Sequence, residues 1–254
     1  MKKIFTFILD WFFPPRCALC DEVIARVDKP LCPHCRACTQ PRIEEKRCKR
    51  CGRGKEQCAC KITTLLSDGI AAPFYYKDTV QDAILRYKKV EDAVRTAYFS
   101  DELIQTAYLA YADKEIDMVT AVPMHPRSEA KRGFDQVKPV AKAVAKTLHV
   151  PFATLLKKSI YTKPQKTQYG AARAANLLGA FDVINGVSIK DKQILLIDDV
   201  ATTAATTNEC AKMLKIYGAK AVYVLTAAVS ENKKKETDIE KLMKQKRREK
   251  TNDR

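Results

Sequence analysis

The sequence predicts an α/β protein: a mainly parallel sheet preceded by a small cysteine-rich metal-binding module. Three observations predict it. Short apolar runs alternate with segments of helical period through residues 67–230. Nine of the ten cysteines lie between Cys17 and Cys60, most of them in close pairs. The clearest apolar run, Ile194–Ile197, ends on Asp198 and Asp199 and passes through threonines and alanines into a helical pattern.

The boundaries follow composition. Residues 1–66 are basic and hold the clustered cysteines, after a short amphipathic N-terminal segment. Residues 67–230 carry the alternating elements. Residues 231–254 form a charged tail without a continuous apolar stripe, read as disordered or helical. A chain of 254 residues can bury one sizeable core and support a smaller module. Its net charge of +16 favours anionic partners such as nucleic acid, anionic lipid or phosphorylated small molecules. Part of that charge is local: residues 16–61 carry twelve Lys/Arg against six Asp/Glu, and two tetrathiolate zinc sites would offset some of the excess.

The N-terminus, MKKIFTFILDWFFPPRC, resembles a signal peptide only at first sight. Asp10 interrupts the apolar run, no small-residue cleavage site follows, and Arg16 precedes Cys17. The stretch reads as an amphipathic helix ended by Pro14 and Pro15. No stretch reaches the roughly 18 apolar residues of a membrane span. The expected location is the cytoplasm, a reducing compartment in which paired cysteines bind metal rather than form disulfides.

The cysteine pairs are Cys17 with Cys20, Cys32 with Cys35, Cys48 with Cys51, and Cys58 with Cys60. Each pair offers two thiolates to a tetrahedral ion, so two pairs complete a site and the four predict two structural zincs. Sequential pairing joins the first two pairs and the last two; an interleaved arrangement is also open. Cys38 is extra, and His34 reads as a spacer. Sites of this kind have no open position, so their role is folding and docking.

In the middle region, Gly69–Tyr76 reads as an entry strand, and Thr79–Tyr87 places Val80, Ala83, Ile84 and Tyr87 on one helical face. Val94–Ala112 is a second helix. Met118–Val122 is a buried strand, then a loop from Pro123. Gln136–Leu148 is helical after Pro139, and Phe152–Leu156 is a further strand. Ile194–Ile197 and Val222–Ala227 are the clearest strands, with a helix Thr206–Tyr217 between them and Gly218 as its C-cap. Ligands of parallel α/β sheets sit at the carboxyl ends of the strands, which singles out the loops after Val122 and Ile197.

The second of these loops has the chemistry of a phosphate cradle. A helix N-terminus presents free N–H groups and the positive end of its dipole. Thr202, Thr203 and Thr206 add hydroxyls, and Ala201, Ala204 and Ala205 let an anion approach the backbone. Two carboxylates beside a cradle suit a ligand that also carries sugar hydroxyls, so the stretch asks for a ribose 5-phosphate. The bland alternative is a strand followed by an N-capped helix, which needs fewer polar groups than are present.

Asp198-Asp199-Val200-Ala201-Thr202-Thr203-Ala204-Ala205-Thr206 resembles the phosphoribosyl-diphosphate (PRPP) signature of type I phosphoribosyltransferases. The remaining motifs resemble those of the ComF family of late-competence proteins, also called amidophosphoribosyltransferase-like. Ala121-Val122-Pro123-Met124-His125 resembles its VPLH loop, and Arg132-Gly133-Phe134-Asp135-Gln136 its RGFNQ. Thr167-Gln168, Arg173, Asn176 and Gly179-Ala180-Phe181 resemble its Q…R…N…GAF segment, and Leu85-Arg86-Tyr87-Lys88 a helix end. The resemblance spans residues 10–230. Two positions depart from the pattern: Ala204 stands where the signature has glycine, and Asp135 replaces an asparagine. A positive φ at position 204 would cost an alanine about 1–2 kcal/mol.

The resemblance implies a type I phosphoribosyltransferase sheet after a double zinc ribbon. It implies PRPP or ribose 5-phosphate bound by Asp198, Asp199, Ala201, Thr202, Thr203, Ala204, Ala205 and Thr206. The diphosphate loop is Pro123, Met124 and His125 with Arg127, Lys131 and Arg132, and Arg173 and Asn176 are lid residues. Mg²⁺ accompanies PRPP, bridging substrate oxygens. The implied role is DNA uptake in natural transformation, with single-stranded DNA and a partner helicase as partners. Two readings follow: an enzyme transferring phosphoribose to an acceptor the sequence does not name, or a non-catalytic binding or adaptor protein for single-stranded DNA and the helicase. No catalytic base is assigned.

Overall fold

The computed structural model describes residues 14–25, 30–39, 47–58, 60, 64–159, 179–184 and 186–231. The expected N-terminal helix, the lid residues Arg173 and Asn176, and the tail from residue 232 lie outside the described residues.

In chain order the elements are helix α1 (Pro33–Cys38), strands β1 (Gly69–Ala71) and β2 (Phe74–Tyr75), helices α2 (Asp78–Tyr87) and α3 (Ala93–Tyr111), and strand β3 (Met118–Ala121). Helices α4 (Pro126–Arg132) and α5 (Val137–Thr147) follow, then strands β4 (Leu156–Lys158), β5 (Phe181–Val183) and β6 (Gln193–Ala201), helix α6 (Ala205–Ile216) and strand β7 (Ala221–Val229). The main sheet has the order β1-β7-β6-β3, with β2 also on β7, and every pairing in it is parallel. Strands β4 and β5 form a separate antiparallel ribbon.

Strand β6 shows why the sheet is central. Ile194, Leu195, Leu196 and Ile197 are all fully buried. Successive side chains of a strand face opposite sides. Leu195 and Ile197 accordingly join the core under α2, α3 and α5, and Ile194 and Leu196 join the core under α6. A strand covered on both faces needs an unbroken apolar run, which this one is. Truncating one member, as in Leu196→Ala, costs about 2–5 kcal/mol.

Several elements differ from the sequence expectation for definable reasons. The entry strand splits into β1 and β2 around Pro73, which has no N–H to give a ladder. Helix α5 starts at Val137, two residues before Pro139, because a proline in the first turn removes an N–H that has no intrahelical partner. Residues 152–156 are not one strand. Phe152 makes a single parallel bridge to Val119, and Leu156 opens β4. The stretch from Pro123 is only briefly a loop, since α4 begins at Pro126. Gly218, at φ 97°, follows α6 as a left-handed stop.

The cysteine module is a repeated device. Arg16 bridges Val23 and Arg47 bridges Gly54, both antiparallel. In each hairpin the first cysteine's N–H donates to the carbonyl five residues on: Cys17 to Glu22 and Cys48 to Arg53, both at 2.8 Å. In each, the fourth residue after that cysteine has positive φ: Asp21 at 73° and Gly52 at 69°. The two copies dock on opposite faces of the sheet. Cys17, Leu19, Leu31, Cys32 and Cys35 belong to the core of α2, α3 and α5, and Cys51 belongs to the core of α6.

Candidate functional site

Strand β6 outruns β3. Its pairing with β3 ends at Ile197 opposite Ala121, while its pairing with β7 continues to Ala201 opposite Val229. Asp198 and Asp199 therefore lie inside β6 and not after it, on the part of the strand that projects past its neighbour. This step leaves a crevice above the carboxyl end of β3, the place where open α/β sheets bind ligands.

Two residues bond Asp199, and a third backs one of them. Lys88, which caps the C-terminus of α2, places Nζ 2.9 Å from Asp199 Oδ2. Gln136, just before α5, donates Nε2 to the same oxygen at 2.8 Å. Arg132 at the end of α4 donates in turn to Gln136 Oε1. Burial works to lower the Lys88 pKa, but the charge and hydrogen bond of Asp199, with Asp198 behind them, outweigh it and hold the ammonium above its ordinary range. Gln136 is itself buried, and its carbonyl accepts from the Tyr87 hydroxyl at 3.0 Å. Asp198 Oδ1 accepts the Asp199 N–H at 2.8 Å.

After β6 the chain turns sharply into α6. Ala204 is the N-cap residue, in the left-handed region at φ 58° and ψ 13°. This is the conformation that makes glycine usual at such a position. The Ala205 N–H reaches Thr203 Oγ1 at 3.4 Å, and Thr207 donates its hydroxyl to the Ala204 carbonyl at 3.1 Å. Ala201 is the last residue of β6 and is buried, and Ala204 is buried as well.

The loop after β3 carries Pro123 and Met124 and ends at His125, the N-cap of α4. His125 Nδ1 accepts the Arg127 N–H at 3.1 Å. Desolvation, and then the cations of Arg127 and Lys158, lower the His125 pKa, which suits an imidazole acting as acceptor. Arg127 lies in the first turn of α4, Lys131 and Arg132 in its last. Asp135 Oδ1 accepts from the N–H groups of Val137 and Lys138 at 2.9 and 3.2 Å. Aspartate and asparagine are equally good at this capping task, so the departure at position 135 keeps a structural function. A cavity of about 190 Å³ opens beside Pro123, Met124, Lys138, Lys157 and Lys158.

The structure thus brings Asp198, Asp199, Thr202, Thr203, Ala204, Ala205 and Thr206 onto one strand end and turn, and ties Arg132 to them through Gln136. Lys88 and Gln136 received no role from the sequence. Both stand at the ends of the motifs LRYK and RGFDQ, which is the signal that was available.

Two thiol clusters complete the picture: Cys17, Cys20, Cys32 and Cys35, and Cys48, Cys51, Cys58 and Cys60. Within each, the ligand atoms all lie within 4.8 Å of one another. Tetrahedral zinc with bonds of about 2.3 Å sets its sulfurs about 3.8 Å apart. The Sγ separations are 3.6 Å for Cys20–Cys32, 3.6 Å for Cys48–Cys60 and 3.8 Å for Cys51–Cys58. Backbone N–H donors draw Cys17 and Cys48 down to about 7 against the opposing effect of burial. Burial and neighbouring thiols push Cys35 and Cys60 far up. Four thiolates at such spacing require a cation, and the donor set fits structural zinc. The clusters follow the sequential pairing. Cys38 is exposed and Cys210 is buried, and both stand outside the clusters found among the described residues.

Comparison with known proteins now decides the family. Residues 8–63 match the double zinc ribbon domain, and residues 138–253 match the phosphoribosyl transferase domain. Competence protein ComFC of Streptococcus pneumoniae is 27% identical over 232 residues, covering 82% of this chain and 96% of its own. The chain belongs to the ComF family. Another member, competence protein ComFC of Bacillus subtilis, is 26% identical across 78% of this chain and 88% of its own. The Escherichia coli DNA utilization protein YhgH is 28% identical, over 42% of this chain and 47% of its own. A solved adenine phosphoribosyltransferase aligns over 58% of this chain and 82% of its own at 13% identity, with a TM-score of 0.37. Among the described residues, no helix of this ComF protein is long and apolar enough to cross a membrane.

Proposed function

We propose that this ComF protein binds PRPP or ribose 5-phosphate at the end of β6 and acts in DNA uptake during natural transformation. The observation that carries the reading is the left-handed turn at Ala204, which joins a strand carrying two carboxylates near its C-terminal end to the N-terminus of α6. The ribose hydroxyls donate to Asp198 and Asp199, and the 5-phosphate accepts from the N–H groups and hydroxyls of Thr202 to Thr206. The diphosphate would lie toward Pro123, Met124, His125, Arg127 and Arg132, Mg²⁺ bound with PRPP would offset its negative charge, and the family resemblance assigns Arg173 and Asn176 to a lid. Asp199 is already balanced by Lys88, which lowers the repulsion that an anionic ligand meets there. The relatives named as competence and DNA utilization proteins support the role in transformation, and the location proposed for it is the cytoplasm.

The chemistry that the site supports is positional. A phosphoribosyl transition state develops positive charge on the sugar and negative charge on the leaving diphosphate, so orienting dipoles and cations supply the stabilisation. The cavity beside Lys157 and Lys158 is where an acceptor would approach. The second reading is a non-catalytic adaptor in which the +16 charge holds single-stranded DNA and the ribbons recruit a helicase.

Calorimetry with PRPP and Mg²⁺ on the wild type and on Asp198→Asn/Asp199→Asn tests the first reading. Micromolar binding is expected for the wild type and its loss in the variant; no heat with either protein removes the PRPP site. Binding without diphosphate release across varied acceptors selects the adaptor reading. A gel shift with single-stranded DNA that is absent even at low salt removes its DNA arm.

A further inference from the structure

The second metal knuckle reaches into the turn after β6. Arg53 is the residue whose carbonyl accepts the Cys48 N–H at 2.8 Å, and the adjoining Gly52 N–H donates to the Cys48 carbonyl at 2.9 Å. The hairpin that Cys48 and Cys51 close therefore sets the position of the Arg53 backbone. Its guanidinium crosses to the large domain. Nε donates to the Ser230 carbonyl at 2.8 Å, and Nη2 donates to the Thr202 carbonyl at 2.6 Å. The Ser230 N–H donates to the Ala201 carbonyl at 3.1 Å, which ties the same arginine to both β6 and the end of β7.

Thr202 is the first residue beyond β6, two before the left-handed Ala204. A trans peptide is planar, with its oxygen and its N–H on opposite sides. Holding the Thr202 oxygen toward Arg53 turns the Thr203 N–H away from the knuckle. The bond thus fixes the orientation of a peptide in the stretch that the phosphate reading uses. A rigid, planar donor held by two carbonyls suits such a task better than a flexible ammonium.

Among the described residues the first knuckle is tied to other elements. Asp21, the counterpart of Gly52, pairs with Arg95 of α3 at 2.7 Å, and the Leu19 carbonyl accepts from Arg86 of α2 at 2.6 Å. The two metal sites are alike in build and differ in what they hold.

We propose that Arg53 is a positioning residue for the Thr202–Ala205 turn. Through it, metal in the Cys48, Cys51, Cys58 and Cys60 site and a phosphoribosyl ligand at the turn stabilise one another. The inference rests on the phosphate-cradle reading above. Metal holds the knuckle, the knuckle aims the guanidinium, and the guanidinium orients the Thr202–Thr203 peptide. By linkage the effect runs both ways: a ligand that orders the turn must also slow metal loss from that site, and from that site alone.

The test uses full-length protein carrying both zincs and ribose 5-phosphate as the probe. Calorimetry gives its affinity for the wild type, Arg53→Ala and Arg53→Lys. Zinc release to a chromogenic chelator is followed with and without saturating ribose 5-phosphate, and Cys58→Ser assigns the release phases to their sites. In the wild type the ligand slows only the second-site phase, by about tenfold. Arg53→Ala retains two zincs, binds ribose 5-phosphate about tenfold more weakly and loses the slowing. Arg53→Lys, which keeps the charge but not the fork, behaves like Arg53→Ala and answers the question if the alanine variant does not fold. Equal affinity in all three proteins, with the slowing retained, overturns the inference and leaves the cradle reading standing. A wild type that binds neither ribose 5-phosphate nor PRPP overturns both.

Discussion

The Lys88 ammonium and the Asp199 carboxylate meet at 2.9 Å across the crevice between α2 and the end of β6, and the Gln136 amide donates to the same carboxylate oxygen. The pair neutralises one of two adjacent carboxylates at the place where an anionic ligand is expected. Lys88→Met should therefore weaken ribose 5-phosphate binding about tenfold, a loss of about 1.4 kcal/mol. Combined with Asp199→Asn it should cost less than the sum of the two single losses, because the uncompensated charge goes as well. A double-mutant cycle by calorimetry reads this coupling, and strictly additive losses would contradict it.

The same pair fixes a pH signature. The Lys88 pKa is raised in the folded state, so the contribution of the pair to stability is fully present below the ordinary lysine value of about 10.4 and is lost as pH rises through the higher folded value. The Tm difference between wild type and Lys88→Met should be constant from about pH 6 to pH 9 and shrink only above about pH 10.4. A difference that already fades near neutral pH would mean that Lys88 is not held protonated by Asp199.

Ala204 decides a question that the sequence could only pose. It occupies the left-handed region at φ 58°, so the turn has formed without the usual glycine. Replacement by glycine removes about 1–2 kcal/mol of backbone strain. Against that stand about 0.5–1 kcal/mol of added chain entropy and about 0.8 kcal/mol for the buried methyl. These effects nearly cancel. Ala204→Gly should leave Tm within about 2 °C of the wild type and ribose 5-phosphate affinity unchanged. Ala204→Val, which puts a β-branched side chain in the left-handed region, should lower both. Thermal denaturation and calorimetry on the two variants check this.

Much of the architecture was legible because it depends on local patterns. The run Ile194–Ile197 marks a strand buried on both faces, and the cysteine spacing marks two knuckles. What was not legible depends on distant contacts. Nothing in the spacing of LRYK or RGFDQ says that Lys88 and Gln136, separated by 48 positions, share one oxygen of Asp199. The extension of β6 through two aspartates is a tertiary effect as well. Propensity ends a strand at Asp-Asp, and the ladder with β7 carries it on to Ala201. Asp135 looked like a departure because its capping bonds to Val137 and Lys138 are invisible without the backbone of α5.

The metal module allows a stoichiometric prediction. Elemental analysis should find two zincs per chain. Cys20→Ser and Cys58→Ser should each reduce this to one, whereas Cys38→Ser should leave both, since Cys38 stands outside the two clusters. A Cys38→Ser protein with one zinc would show that this thiol replaces one of the assigned ligands.

The contact between the second knuckle and the sheet is close enough to predict a large effect from one methyl group. Gly52 sits at φ 69°, and a Cβ built on it would lie 2.8 Å from the Ile70 carbonyl oxygen. Gly69 faces the module in the same way, with a Cβ position 2.8 Å from the Lys49 carbonyl oxygen. Both obstacles are backbone atoms, which cannot swing aside as the end of a long side chain can. At Gly52 the left-handed conformation adds about 1–2 kcal/mol for any other residue apart from asparagine or aspartate. Gly52→Ala should therefore lose about 2 kcal/mol or more, which at 2–4 °C per kcal/mol for a chain of this size lowers Tm by at least about 4 °C. Asp21, at the equivalent place in the first knuckle, has φ 73° and is tolerated because its short polar side chain suits the left-handed region. Gly52→Asp should then relieve the conformational part and keep the clash, and fall between wild type and Gly52→Ala only if backbone conformation dominates. If Gly52→Asp is as damaging as Gly52→Ala, the close approach to Ile70 is the larger cost, and the position demands glycine for space more than for φ.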